Sequence, residues 1–193
     1  MQKLILILFI SFSVSQEMPW GGVSVATSDN LDALSINPAG LGIQRGNQAG
    51  LSLFNMVDTT KIHLANRDGG FGSTFRLKNS ENASEYFYSL GLGFELGTPD
   101  VLGGIQWFSE QKFRFGTLVR PTNSLSVGFT ADYDKKTGDW NAFKLGTAVR
   151  PIGSKVTFGA DLNSNGTDFD NIHTSYFAEV FPMDGLKVSL GYR

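Results

Sequence analysis

The chain alternates apolar and polar residues with a period of two over many successive segments. In residues 125–133, Leu, Val, Phe, Ala and Tyr fall on one face, while Ser, Gly, Thr and Asp fall on the other. Because successive side chains of a strand point to opposite faces, this pattern predicts strands with one apolar and one polar face. About eleven such strands can be placed, near residues 48–56, 60–66, 70–78, 86–97, 101–108, 112–120, 124–133, 141–150, 155–163, 172–181 and 186–193.

An internal repeat organises the second half of the chain. Arg120-Pro121, Arg150-Pro151 and Phe181-Pro182 each precede a strand, and the prolines stand 30 and 31 residues apart. Turn residues follow each proline, which indicates short connections. The other connections, 134–141 and 163–171, read as longer polar loops. Short turns at one end and longer loops at the other are typical of an outer-membrane barrel.

A soluble β-sandwich is the alternative, since its strands also alternate. The predicted strands are longer than the usual length of about five or six residues. Each hairpin is followed directly by the next, without a long crossover. The polar face combines glycines and small residues with charge, which suits the lumen of a barrel. The charged lumen candidates are Arg76, Glu95, Arg114, Asp132, Lys144, Asp161 and Glu179.

This assignment of faces has a consequence for substitutions. Arginine at Leu92 or Phe129 should impair membrane insertion, because both belong to the apolar face. Arginine at Gly91 or Gly128 should be milder if the lumen has room for it.

Residues 1–15 (MQKLILILFISFSVS) have the pattern of a secretory signal peptide. Lys3 supplies the basic start, an apolar run follows at 4–10, and Ser13 and Ser15 suit a cleavage site. The alternative is a membrane anchor, but a spanning helix needs about 20 apolar residues. We therefore expect Sec-dependent export.

Composition excludes several kinds of chemistry. The chain has no Cys, which rules out disulfides, Cys-ligated metals and a thiol nucleophile. Its two His residues, His63 and His173, stand far apart, so we expect no metal site and no cofactor. A net charge of −2 argues against a nucleic-acid partner. No motif supports enzymatic activity.

The segment 16–46 carries the motif that narrows the family. It contains Asn37-Pro38-Ala39-Gly40 followed by Leu41, ahead of the predicted strands. Pro38 favours an extended Asn37, Asn37 can bond nearby backbone, and Gly40 permits positive φ. This order resembles the outer-membrane fatty-acid transporter family and its relatives among the barrel partners of type IX secretion. The resemblance implies an N-terminal hatch over 16–46, with Asn37, Pro38, Ala39 and Gly40 at its core.

A second resemblance rests on the Arg-Pro turns at 120–121 and 150–151. They are similar to the N-terminal barrel regions of some signal-peptide-peptidase-like proteins, in which a serine protease module follows the barrel. That module has no counterpart here, so no catalytic residue carries over.

Together these features predict an all-β protein, an antiparallel up-and-down transmembrane β-barrel with a short N-terminal plug. We expect residues 47–193 to be the N-terminal part of a longer barrel, in the outer membrane of a Gram-negative-type bacterium. Outer-membrane lipid is then one partner. The expected function is passive transport of small hydrophobic molecules. The alternative is a non-enzymatic scaffold barrel for a secreted protein partner or a fused protease.

Overall fold

The computed structural model describes residues 23–43, 46–56, 59–80, 83–166, 171–183 and 186–192. The signal peptide predicted at 1–15 lies outside these ranges, as do residues 16–22 and 44–45 of the predicted hatch.

Eleven β-strands form one antiparallel sheet in which each strand pairs with the next one along the chain. This confirms the predicted all-β, up-and-down architecture. The strands are β1 Gln48–Met56, β2 Thr59–Asp68, β3 Phe71–Ser80, β4 Ala83–Leu96, β5 Thr98–Phe108, β6 Lys112–Thr122, β7 Leu125–Asp134, β8 Asp139–Val149, β9 Val156–Asn165, β10 Ile172–Met183 and β11 Leu186–Tyr192.

The connections differ from the predicted ones. β7 ends at Asp134 and β8 begins at Asp139, so the loop expected at 134–141 is a turn over 135–138. β9 likewise extends to Asn165, into the loop expected at 163–171. The turn over 135–138 is shorter than the connection over 150–155 at the other end of the sheet, because Asp134 and Asp139 continue the ladder. The expected asymmetry of short turns and long loops does not hold for these two connections. Residues 167–170 of the other expected loop lie outside the described residues. We call the two ends of the sheet the Gly97 end and the Gln111 end, after a residue in a connection at each.

Residues 23–43, here called the inner segment, lie against one face of this sheet. The segment contains two short 3₁₀ helices, Leu31–Leu34 and Pro38–Gly42. Side chains or backbone of the segment touch every strand from β2 to β10. A flat sheet of nine strands would be about 38 Å wide, so the sheet curls around the segment.

The sheet has an inner face toward this segment and an outer face away from it. Leu51, Leu64, Phe75 and Tyr88 follow one another across β1 to β4 on the outer face, and all are exposed. The buried core lies on the inner face, in small clusters that combine the inner segment with the strands.

Within the described ranges the sheet is not closed, and β1 and β11 form its two edges. No helix among the described residues is long and apolar enough to span a membrane.

The register can be tested by cross-linking, because the chain has no native Cys. Leu145 and Leu162 are direct cross-strand partners on β8 and β9, and both are exposed on the outer face. Leu145→Cys with Leu162→Cys should form a disulfide readily on mild oxidation, since directly opposed Cβ atoms lie about 5 Å apart.

The matched control is Leu145→Cys with Ala160→Cys, which is displaced by one pair along the same face. Electrophoresis without reductant measures both. Faster cross-linking of the displaced pair would contradict the register.

Candidate functional site

Glycines of the inner face stand in register where the inner segment approaches the sheet. Gly93, Gly104 and Gly116 are consecutive partners across β4, β5 and β6. Gly72 pairs with Gly91, and Gly128 pairs with Gly146. A Cβ at any of them would meet the inner segment at less than 3.0 Å. At Gly93, Gly104 and Gly128 the Cβ would meet backbone atoms of the segment, so glycine is required there for its close approach. At the other four positions the Cβ would meet side-chain atoms of the segment. We call these seven residues the glycine rows.

This fit overturns the expectation that arginine would be mild at Gly91 or Gly128. Even a Cβ at Gly91 would lie 2.9 Å from Leu41 Cδ1, and one at Gly128 would meet the Val25 carbonyl. The prediction of room is wrong because the inner segment fills the space beside these glycines.

Asn37 lies at the centre of the inner segment. Pro38 follows it, and Asn37 is extended at φ −143° and ψ 106°, as expected before proline. Its Oδ1 accepts from Ala39 N at 3.1 Å, while its Nδ2 donates to Val25 O at 2.8 Å and to Thr117 O at 3.0 Å. One buried amide thus caps a 3₁₀ helix and joins two parts of the segment to β6.

Gly40 is needed for a reason other than the expected one. It does not adopt a positive φ. Instead, a Cβ there would collide with the Ser28 carbonyl. Glycine lets two stretches of the inner segment pass in contact.

Side chains of the sheet reach the backbone carbonyls of the inner segment. Gln106 Nε2 donates to Leu34 O at 2.7 Å, and Ser126 Oγ donates to Ala26 O at 2.6 Å. These bonds supply partners that a buried irregular segment cannot find within itself.

Two of the charged lumen candidates bind the inner segment directly. Arg114 donates to Ser35 O at 2.6 Å and forms a bidentate pair with Asp132 at 2.6 and 2.7 Å. Asp161 accepts from Ser24 Oγ at 2.5 Å and from Val25 N at 3.1 Å.

The other candidates also lie on the inner face. Arg76 lies over the Phe87 ring, 4.8 Å from its centroid. Lys144 stands in register with Asn163 on the neighbouring strand. Glu95 and Glu179 line a cavity at the Gly97 end. The structure therefore places all seven on the inner face, and their role in a lumen stays a prediction.

Asp29 is the charged centre of the inner segment. Arg120 Nη2 hydrogen-bonds its Oδ1, and Arg150 Nη2 lies 3.6 Å from its Oδ2. Arg67 Nη1 donates to Asp29 O at 2.7 Å, and Arg67 Nη2 donates to Leu41 O at 3.3 Å. Three arginines, on β2, on β6 and directly after β8, therefore hold one residue.

A cavity of about 1040 Å³ opens beside Asp29 at the Gly97 end. Its charged lining includes Asp29, Arg120 and Arg150. Its apolar lining includes Ile43 of the inner segment and Phe181 of β10. The cavity can receive a molecule with both apolar and polar parts.

Sequence reasoning did not select Asp29, Arg67, Gln106, Arg120 or Arg150 as site residues. The Arg-Pro repeat was the available signal for Arg120 and Arg150, but it indicates only turns and a resemblance, and it does not predict a partner for either side chain. Nothing local marks Asp29, whose partner Arg120 stands 91 positions away.

Among the described residues, no three His, Asp or Glu side chains are grouped so that they could hold a metal ion. The chain matches no protein-family model, no curated protein and no solved structure.

The glycine rows predict a sharp difference between two Gly→Ala substitutions. Gly128→Ala should destabilise the protein by about 1–3 kcal/mol, because its Cβ meets immobile backbone at Val25. Gly191→Ala should change stability by less than about 0.5 kcal/mol, since the nearest atom to its Cβ is 3.9 Å away.

Urea unfolding of the full chain measures both variants. Equal stability of the two would contradict the close approach of the inner segment to β7.

Proposed function

We propose that the chain is an outer-membrane β-barrel protein that passes small hydrophobic molecules, with the inner segment as the barrier in its interior. The observation that carries the proposal is the cavity of about 1040 Å³ at the Gly97 end, which the inner segment borders.

The outer face supports insertion in lipid. Large apolar side chains cover it on successive strands, and some are highly exposed, such as Leu53 at 65% and Leu190 at 71%. A soluble monomer seldom exposes a continuous apolar surface of this extent. In a bilayer these side chains meet hydrocarbon, while the polar and charged groups face the interior.

Tyrosine and tryptophan residues gather toward the Gln111 end. Trp107 and Tyr133 are the last but one residues of their strands there, Trp140 is the second residue of its strand, and Tyr192 is the last of β11. Tyr86, Tyr88 and Tyr176 also lie in the halves of their strands near this end. Such residues favour the boundary between lipid and water, so we place the Gln111 end at one membrane surface.

The cavity lining suits a hydrophobic molecule with a polar group. Ile43, Leu102, Phe181 and Met183 provide apolar surface, and charged side chains border it. A molecule entering from the Gly97 end reaches the inner segment at Asp29. Passage farther along the interior then requires the segment to move.

A scaffold barrel is the second candidate, and the glycine rows favour it. The segment fits the inner face so closely that it could remain a permanent plug. The protein would then present its surfaces to a secreted protein or a fused protease. The two candidates differ in whether the inner segment moves.

Insertion predicts that the cost of arginine depends on depth. Phe129 and Leu125 lie on the outer face of β7 with nearly equal exposure, 39% and 38%. Phe129 is central in the strand and Leu125 is its first residue. Phe129→Arg should cost about 2–4 kcal/mol and Leu125→Arg about 0–1 kcal/mol.

The measurement is the fraction of each variant that stays with outer membranes after carbonate washing. A parent protein found in the soluble periplasm, or equal retention of both variants, would sink the membrane assignment.

Movement of the inner segment can be tested by locking it. Ala26 and Ala148 are fully buried and pack in one cluster between the segment and β8. In Ala26→Cys with Ala148→Cys, a disulfide should abolish uptake of an apolar fluorescent probe, and reductant should restore uptake.

Each single Cys variant is the control for the substitutions themselves. Uptake that persists through the locked protein would reject the barrier role and favour the scaffold.

A further inference from the structure

The two Arg-Pro steps of the internal repeat converge on a single carboxylate. Arg120 lies near the end of β6, and Arg150 directly follows β8, one repeat later. Both guanidinium groups contact Asp29 of the inner segment. In the third copy the position is Phe181, which lines the adjoining cavity instead. The repeat thus supplies two cations and one apolar wall around the same place.

We propose that Arg120, Arg150 and Asp29 form an electrostatic latch that sets how readily the inner segment leaves the interior. This inference rests on the proposed function, because a latch matters for passage only if the segment moves. Arg120 and Arg150 act as positioning residues in it. They hold the segment, and they need not touch a transported molecule.

The pairing of Arg114 shows why the latch is distinct from the other anchors. Asp132, on the neighbouring strand, neutralises Arg114 through a bidentate pair within the sheet. That pair persists when the inner segment moves away. The carboxylate that Arg120 and Arg150 share belongs to the segment itself, so departure of the segment separates opposite charges.

The position of the latch makes it sensitive to the solution. Its side chains are 12–19% exposed and line the cavity at the Gly97 end. Partly exposed ion pairs weaken as dissolved salt screens them. Gln106 and Ser126 hold other parts of the segment with uncharged groups. Arg67, Arg114 and Asp161 are charged, but they bind backbone or hydroxyl groups of the segment and not a charge on it. Salt should therefore loosen the segment from the Asp29 side.

Hydrogen exchange over residues 23–43 of the full chain in bilayers tests the latch. Asp29→Asn should speed exchange in this segment about tenfold, as loss of a charge-assisted contact implies. Arg120→Gln should do the same. Because both remove one interaction, Asp29→Asn with Arg120→Gln should add little beyond either change alone.

The dependence of hydrogen exchange on salt distinguishes the latch from a purely structural role of these residues, which would not depend on salt. Between about 0.01 M and about 1 M ionic strength, exchange over 23–43 should rise in the parent protein and should be nearly flat in Asp29→Asn. Lys135→Gln is the matched control, because it removes one exposed charge from a turn at the opposite end. It should leave both the exchange and its salt response as in the parent.

Probe uptake, measured on the same samples, separates the two proposals. If exchange follows the latch while no protein takes up the probe, the latch stands and passage fails. If the parent takes up the probe while exchange and salt response are unchanged by Asp29→Asn, the latch fails and passage stands. Fully additive effects of Asp29→Asn and Arg120→Gln would also overturn the latch.

Discussion

The inner segment carries its backbone polar groups into the interior of the sheet, and the sheet must supply their partners. An irregular segment cannot satisfy its own carbonyls as a strand or a long helix does. Arg67, Gln106 and Ser126 reach these carbonyls from β2, β5 and β7. The curvature of the sheet follows from this requirement, because strands so far apart in a flat sheet could not contact one short segment.

The two faces of the sheet have different surroundings, and their residues differ accordingly. Backbone-to-backbone approach on the inner face needs glycine at Gly104 and Gly128, where a Cβ would strike the segment. On the outer face large apolar side chains stand exposed, and the membrane proposal supplies the lipid that they need. Because the residues alternate with a period of two, one strand can place glycines on the inner face and large apolar side chains on the outer face. The same residues that mark a strand in the sequence therefore also divide the interior from the outer surface.

The strands and their faces were predictable from the sequence because they depend on neighbours within one strand. All eleven strands lie where the alternation indicated. The close fit at Gly128 was not predictable, since Val25, its neighbour in space, stands more than a hundred positions earlier. Asp29 was missed for the same reason, because its significance comes from Arg120 and Arg150, which only the fold brings together. Local polarity predicts loops at Asp134 and Asn165, but both residues belong to strands. Cross-strand pairing, which local polarity does not report, decides the structure there.

The central claim is that the outer face meets lipid while the inner segment fills the other face. Spin labels can be placed singly on the outer face of β4, at Tyr88, Leu90, Leu92 and Phe94. All four side chains are exposed, so the labels do not disturb the inner face. In bilayers the account predicts high accessibility to oxygen and low accessibility to a water-soluble nickel complex, with the greatest depth near the middle of the strand. Uniform access of the nickel complex to all four positions would contradict it.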